Sequence, residues 1–101
     1  MLEDKKLHAL KESITGLFFA NGAVTALSKL KKKATLSVKD EDVLLECADF
    51  FVKSGNQERY FHFMMLVNRR KLPAVVLQNL IDFFSKHSSE KRLETNKLLD
   101  S

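Results

Sequence analysis

Glycine and proline are scarce: three glycines and one proline stand in 101 residues. β-Architectures spend many glycines on hairpins, so the composition favours helices. One cysteine, Cys47, rules out an internal disulfide framework. It suits a reducing, intracellular setting, cytoplasmic or nuclear. No apolar run approaches the roughly 18 residues of a membrane span, so no membrane partner is expected. The start of the chain, MLEDKK, has no apolar leader segment, and Glu3 and Asp4 speak against a mitochondrial transit peptide. Charge of one sign is also lacking: 17 basic against 13 acidic residues leave only +4, an excess too small by itself to mark a nucleic-acid domain.

What remains is a globular composition, 45% hydrophobic and 30% charged, in a chain long enough for one domain over residues 1–101. Leu7, Leu10, Ile14, Leu17 and Phe18 recur at helical spacing, and Asn21-Gly22 is a plausible stop. A second helix carries Val24, Leu27 and Leu30 and runs into Lys31-Lys32-Lys33, cations suited to a helix C-terminus. Ser37-Val38-Lys39-Asp40 reads as an N-cap opening a third helix with Val43, Leu44, Cys47, Ala48 and Phe51 on one face. Ser54-Gly55-Asn56 breaks it. A fourth helix holds Tyr60, Phe63, Met64 and Val67 and ends at Arg69-Arg70-Lys71. Pro73 opens a fifth with Val76, Leu77, Leu80, Ile81 and Phe84. His87-Ser88-Ser89 then breaks the chain before a sixth with Leu93, Leu98 and Leu99.

The breaks recur: Gly22, Gly55 and Ser88 lie 33 residues apart. The same shift lays Asp49-Phe50-Phe51-Val52-Lys53 on Asp82-Phe83-Phe84-Ser85-Lys86, and Val43-Leu44 on Val76-Leu77. In the first copy, Leu17 and Phe18 fall on Phe50 and Phe51. Periods of roughly 20–50 residues mark solenoids, whose units bury their apolar faces against neighbours. The expected fold is therefore all-α: three stacked antiparallel hairpins, six helices, in a right-handed α-solenoid with units of about 9–41, 42–74 and 75–101.

Two segments carry a family resemblance. Leu77–His87 (LQNLIDFFSKH) resembles the first helix of a pentatricopeptide repeat, as does Cys47–Gly55 (CADFFVKSG) with its terminal glycine. Residues 56–73 look like that repeat's second helix and its proline-bearing turn. Tetratricopeptide repeats share the plan. Both families keep a small residue five positions after the turn glycine, where this chain has Leu27, Tyr60 and Leu93. The resemblance implies a binding scaffold. Its base-reading positions would be Ser13 with Glu41, Glu46 with Ala74, and Asn79 with a position beyond the chain. Of these Asn79 alone is a base-reading amide, and Glu41 and Glu46 would oppose phosphate.

Groups for catalysis do not converge. His8, His62 and His87 are scattered, so no metal site or other cofactor is expected. Cys47 lies on an apolar face, where thiols are packing rather than nucleophiles. No glycine-rich phosphate loop exists. Asp40, Glu41 and Asp42 fit helix-start roles. Phe50, Phe61 and Phe83 flank core positions and either pack between units or line a groove for a partner helix.

The leading expectation is a non-enzymatic scaffold binding a protein or peptide on a concave face that includes Ser13, Glu46 and Asn79. The alternative is RNA binding through two basic clusters, Lys29/Lys31/Lys32/Lys33 and Arg69/Arg70/Lys71, tracking phosphates along one edge. A third reading makes the chain part of a longer array that self-associates through exposed ends such as Leu98-Leu99.

Overall fold

The computed structural model describes residues 2–100. It has four helices and, among the described residues, no strand: α1 (Leu2–Lys31), α2 (Val38–Lys53), α3 (Gln57–Val67) and α4 (Ala74–Asp100). Four replaces the expected six. Asn21-Gly22 does not stop α1, and His87-Ser88-Ser89 does not break α4.

The reason is a long-range match. Ala9, Ser13, Gly16, Ala20, Ala23, Leu27 and Leu30 follow one another at spacings of 4 and 3, an unbroken heptad seam. Leu77, Ile81, Phe84, Ser88, Lys91, Thr95 and Leu98 form the same pattern in α4. All fourteen of these positions are buried or half-buried, and α1 packs against α4. The two expected breaks meet in this seam: the Ser88 hydroxyl donates to Asn21 Oδ1 at 2.6 Å. Ser89, with the same backbone-competing tendency, instead donates to the Ser85 carbonyl one turn back. A glycine inside a helix costs about 1 kcal/mol relative to alanine, and the seam on either side of Gly22 outweighs it. Where no partner seam crosses, the expected stop holds. Ser54-Gly55-Asn56 ends α2, with Gly55 left-handed at φ 76°.

The order of pairing also departs from a solenoid. α1 pairs antiparallel with α4, the opposite end of the chain, while α2 and α3 form the inserted hairpin. In a linear stack each unit touches only its neighbours; here first and last elements close on each other around one core. The three-hairpin stack is thereby overturned.

The start of α2 is as expected. Ser37 Oγ accepts from the Asp40 amide at 3.1 Å, and Asp40 Oδ2 accepts from the Ser37 amide at 2.9 Å, a complete capping box. Asp40 also takes the Lys29 ammonium at 2.7 Å, tying the end of α1 to the start of α2.

On the α1 side the α1–α4 seam uses small residues, and the layer of α4 that faces the α2–α3 hairpin uses large ones. Phe84 lies at the centre of the latter. Its ring is 5.1–5.9 Å from those of Phe83, Phe51, Phe19 and Phe63 and 6.3 Å from Phe50, so residues of all four helices meet on it. Such spacings are those of favourable aromatic pairs. Arg59 caps the cluster, its guanidinium 4.6 Å from the Phe83 centroid.

The molecule is long, 48 × 25 × 24 Å. α1 and α4 span about 45 and 40 Å at 1.5 Å per residue, whereas the α2–α3 hairpin covers only the half near the α1 C-terminus. The N-terminal half of α1 and the C-terminal turns of α4 extend beyond it as a two-helix arm.

Candidate interaction surfaces

Three surfaces stand out, and the first is the arm's outer side. α1 carries a second apolar seam, Leu7, Leu10, Ile14 and Leu17, with Phe18 beside it, spaced 3, 4 and 3. On a helical wheel it lies roughly opposite the α1 core residues Ala20, Ala23 and Leu27. This stripe, the most obvious in the sequence and the expected core face, is only partly covered. Leu7 is 65% exposed and Phe18 71%, and Leu10, Ile14 and Leu17 are half-buried. By the register of the Ser13–Thr95 and Asn21–Ser88 pairs, Arg92 of α4 stands level with Leu17. Lys11 and Arg92 are exposed and have no acidic partner among the described residues. Of the acids on the arm, Glu12 is engaged by His8 at 3.0 Å and Glu94 by Lys91 at 3.2 Å, while Glu3, Asp4 and Glu90 are exposed and pair with neither Lys11 nor Arg92.

The second surface is the groove where the hairpin stops and the arm begins. It encloses about 590 Å³, and Phe19, Phe50 and His87 form its floor between His8, Thr15 and Lys91. The His87 ring stacks parallel to Phe83, with centroids 6.3 Å apart. Burial, and secondarily Lys91, holds its imidazole below the ordinary pKa. Lys91 lies across Gly16, where a Cβ would stand 3.2 Å from the lysine methylenes.

The third is the end of the bundle formed by the C-termini of α1 and α3. The α1–α2 turn carries Lys31, Lys32 and Lys33, and the α3–α4 turn carries Arg69, Arg70 and Lys71; all six are exposed. The Lys31 ammonium reaches the Gln78 side chain of α4, which brings the two turns to one end. Lys29, expected with them, is committed to Asp40.

The expected concave face does not form. Ser13 is 1% exposed, sealed in the α1–α4 seam, where its hydroxyl pairs with Thr95 Oγ1 at 2.6 Å and donates to the Lys91 carbonyl at 3.1 Å. Glu46 is exposed on α2 and lines neither the groove nor a smaller polar cleft between α3 and α4. Asn79 lines that cleft, of about 170 Å³, with Asn56, Arg59 and His62. The three residues share no surface.

Of the aromatic candidates, Phe50 and Phe83 belong to the central cluster and Phe61 is 61% exposed on α3. Cys47 is fully buried, and that burial, helped by Glu46, pushes its thiol up to about 12. Among the described residues no three His, Cys, Asp or Glu side chains gather as a metal site, and no helix is long and apolar enough to cross a membrane.

Sequence reasoning overlooked the outer seam as a surface. Its signal was present: α1 carries two heptad seams, and one neighbouring helix can occupy only one of them. The chain matches no protein-family model, no curated protein and no solved structure, so the helical-repeat resemblance stands on the residues quoted for it alone.

Proposed function

We propose that the protein is a non-enzymatic protein-interaction module, and that its arm receives a helix of another protein along Leu7, Leu10, Ile14, Leu17 and Phe18. The observation that carries this reading is the second heptad seam, half-buried at Leu10, Ile14 and Leu17 and exposed at its two ends, Leu7 and Phe18, while the first seam is filled by α4. A seam of this period is what a partner helix with its own apolar heptads packs into. Covering Leu7 and Phe18 removes apolar surface worth about 1.5–3 kcal/mol per fully buried side chain. That is enough to make them anchors of a moderate-affinity contact.

Lys11 and Arg92, on either side and without acids of their own, specify a partner with acidic residues flanking its seam. A second copy of this chain fits less well. Antiparallel pairing that sets Leu7 against Phe18 puts Lys11 against Ile14 and Asp4 against Asn21, leaving Lys11 without an acid.

The test replaces Phe18 with a photo-crosslinking phenylalanine in cells, and Thr25 as a control. Adducts are sequenced by mass spectrometry. The expected adduct at position 18 is an acid-flanked amphipathic helix of another protein, lost when Leu7→Ser and Ile14→Ser are added. Adducts to this chain's own α1, or adducts that survive those substitutions, overturn the proposal. Circular dichroism of the same variants must show an intact helical fold.

A further inference from the structure

The far end of the molecule suggests a second, independent interaction. We infer that the basic end of the bundle binds the phosphodiester backbone of nucleic acid without reading its sequence. Two segments distant in the chain, Lys31–Lys33 and Arg69–Lys71, supply six exposed cations there, and Lys39 in the first turn of α2 adds a seventh. The acids of that end are fewer. Asp40 is consumed by Lys29 and the Ser37 cap, leaving Glu41 and Asp42. The first turn of α4, which faces the same end, contains no acid at all.

Helix-dipole complementation explains cations near the C-termini of α1 and α3, but it does not explain where two of them stand. Both turns close with the same pattern of bonds. Lys33 and Ala34 donate to the Leu30 and Lys29 carbonyls, and Arg69 and Arg70 to those of Leu66 and Met65. This Schellman turn requires a left-handed residue, usually glycine. The chain does use glycine in its third such turn, at Gly55, away from this end. At the basic end it places Lys33 (φ 57°) and Arg69 (φ 60°) instead. A strained backbone kept for a charged side chain points to a use for the charge.

The apolar residues distinguish nucleic acid from a membrane surface. Interfacial docking needs phenylalanine, leucine or tryptophan beside the cations. Among the described residues, the exposed ones of those types are Leu7 and Phe18 on α1, Leu45 on α2, Phe61 on α3, and Leu93 and Leu99 on α4, each about two turns or more from the basic turns. The large apolar residues exposed among the basic turns are Val38, Met65 and Val75. Phe61, the exposed aromatic of α3, stands two turns before Arg69 rather than among the cations that would meet an unpaired base, so the contact is with backbone phosphates, in RNA or DNA alike.

Fluorescence anisotropy with 20-base-pair RNA and DNA duplexes of two unrelated sequences tests this. Engagement of about five phosphates gives a slope of log K against log salt near −4.5, so a fourfold rise in salt weakens binding about 500-fold. Lys32→Gln and Arg70→Gln are each expected to lower the slope by about one, while Lys97→Gln, at the tip of the arm, leaves it unchanged. Undetectable or salt-insensitive binding overturns the inference. So does equal loss in the Lys97 variant, a strong preference between the two sequences, or binding to phosphatidylserine vesicles without binding to either duplex. Crosslinking at Phe18 is an independent readout, so this inference and the arm proposal can fail separately.

Discussion

Truncating Phe84 and Phe18 separately measures whether the buried seam of α1 is the small-residue one. Phe84 is fully buried and its ring is in contact range of five other phenylalanines drawn from α1, α2, α3 and α4. Phe84→Ala removes the transfer energy of the ring and leaves a cavity that four helices cannot all collapse into, a loss of about 3–5 kcal/mol. That is a large share of the roughly 5–15 kcal/mol that holds a domain of this size together. Phe18, 71% exposed, stands outside the core. Phe18→Ala is expected to change stability by less than about 0.5 kcal/mol, with alanine's better helix propensity offsetting the lost contact. The chain has no tryptophan, so urea unfolding is followed by far-ultraviolet circular dichroism. With a denaturant slope of about 2 kcal/mol per molar, the Phe84 variant shifts the midpoint down by about 2 M and the Phe18 variant by less than about 0.3 M. In the 33-residue alignment Phe18 corresponds to Phe51, a core residue. Equal shifts for the two variants would therefore refute the α1–α4 pairing and restore the hairpin stack.

Three further predictions address the caps, the charges and the thiol. Arg69→Gly relieves a left-handed residue at a cost of about 1–2 kcal/mol but adds unfolded-chain entropy of about 0.4–1 kcal/mol. A net gain of about 0.5–1 kcal/mol is expected, read as a rise in melting temperature together with a shallower salt slope on duplexes. Asp40 is held down to about 2, chiefly by the Lys29 hydrogen bond and then by the Ser37 amide and hydroxyl. A depressed folded-state pKa contributes stability above the unfolded value near 3.8, and that contribution is lost as pH falls toward 2. Asp40→Asn should flatten the stability profile between those limits and leave its slope from pH 6 to 8 unchanged. The Cys47 thiol, pushed up to about 12 by burial, should resist a disulfide reagent at pH 8 in the native state and react promptly in urea. Prompt native reaction would show that α2 lifts from the core.

Local chemistry made much of this architecture legible. The Ser37–Asp40 capping box, the stop at Gly55 and the apolar face Leu44, Cys47, Ala48 and Phe51 depend on residues within a turn or two of each other, and each is in place. The stops expected at Gly22 and Ser88 use the same residue types, yet the helices run through both. A glycine or serine disfavours a helix by about 1 kcal/mol or less, which packing along a heptad seam exceeds. The basic clusters were visible as runs. Their meeting at one end, and the removal of Lys29 by Asp40, follow from how α1, α3 and α4 are arranged. Ser13 was legible as a polar residue on a helix, whereas its role as a buried hydroxyl bridge to Thr95 spans 82 positions of sequence.

The chain's composition and periodicity by themselves determined that it is helical, where α2 begins and ends, and that Leu7, Leu10, Ile14, Leu17 and Phe18 form an apolar stripe. Only the tertiary structure decided which of α1's two seams is buried. The seam that wins presents alanine, glycine and serine, a weaker hydrophobic signal than the leucines and phenylalanine opposite. Small side chains let two backbones come close enough for α4 to pack along nearly the whole helix. Bulkier side chains were left outward because burial depends on the shape of the facing surface as well as on the greasiness of the stripe.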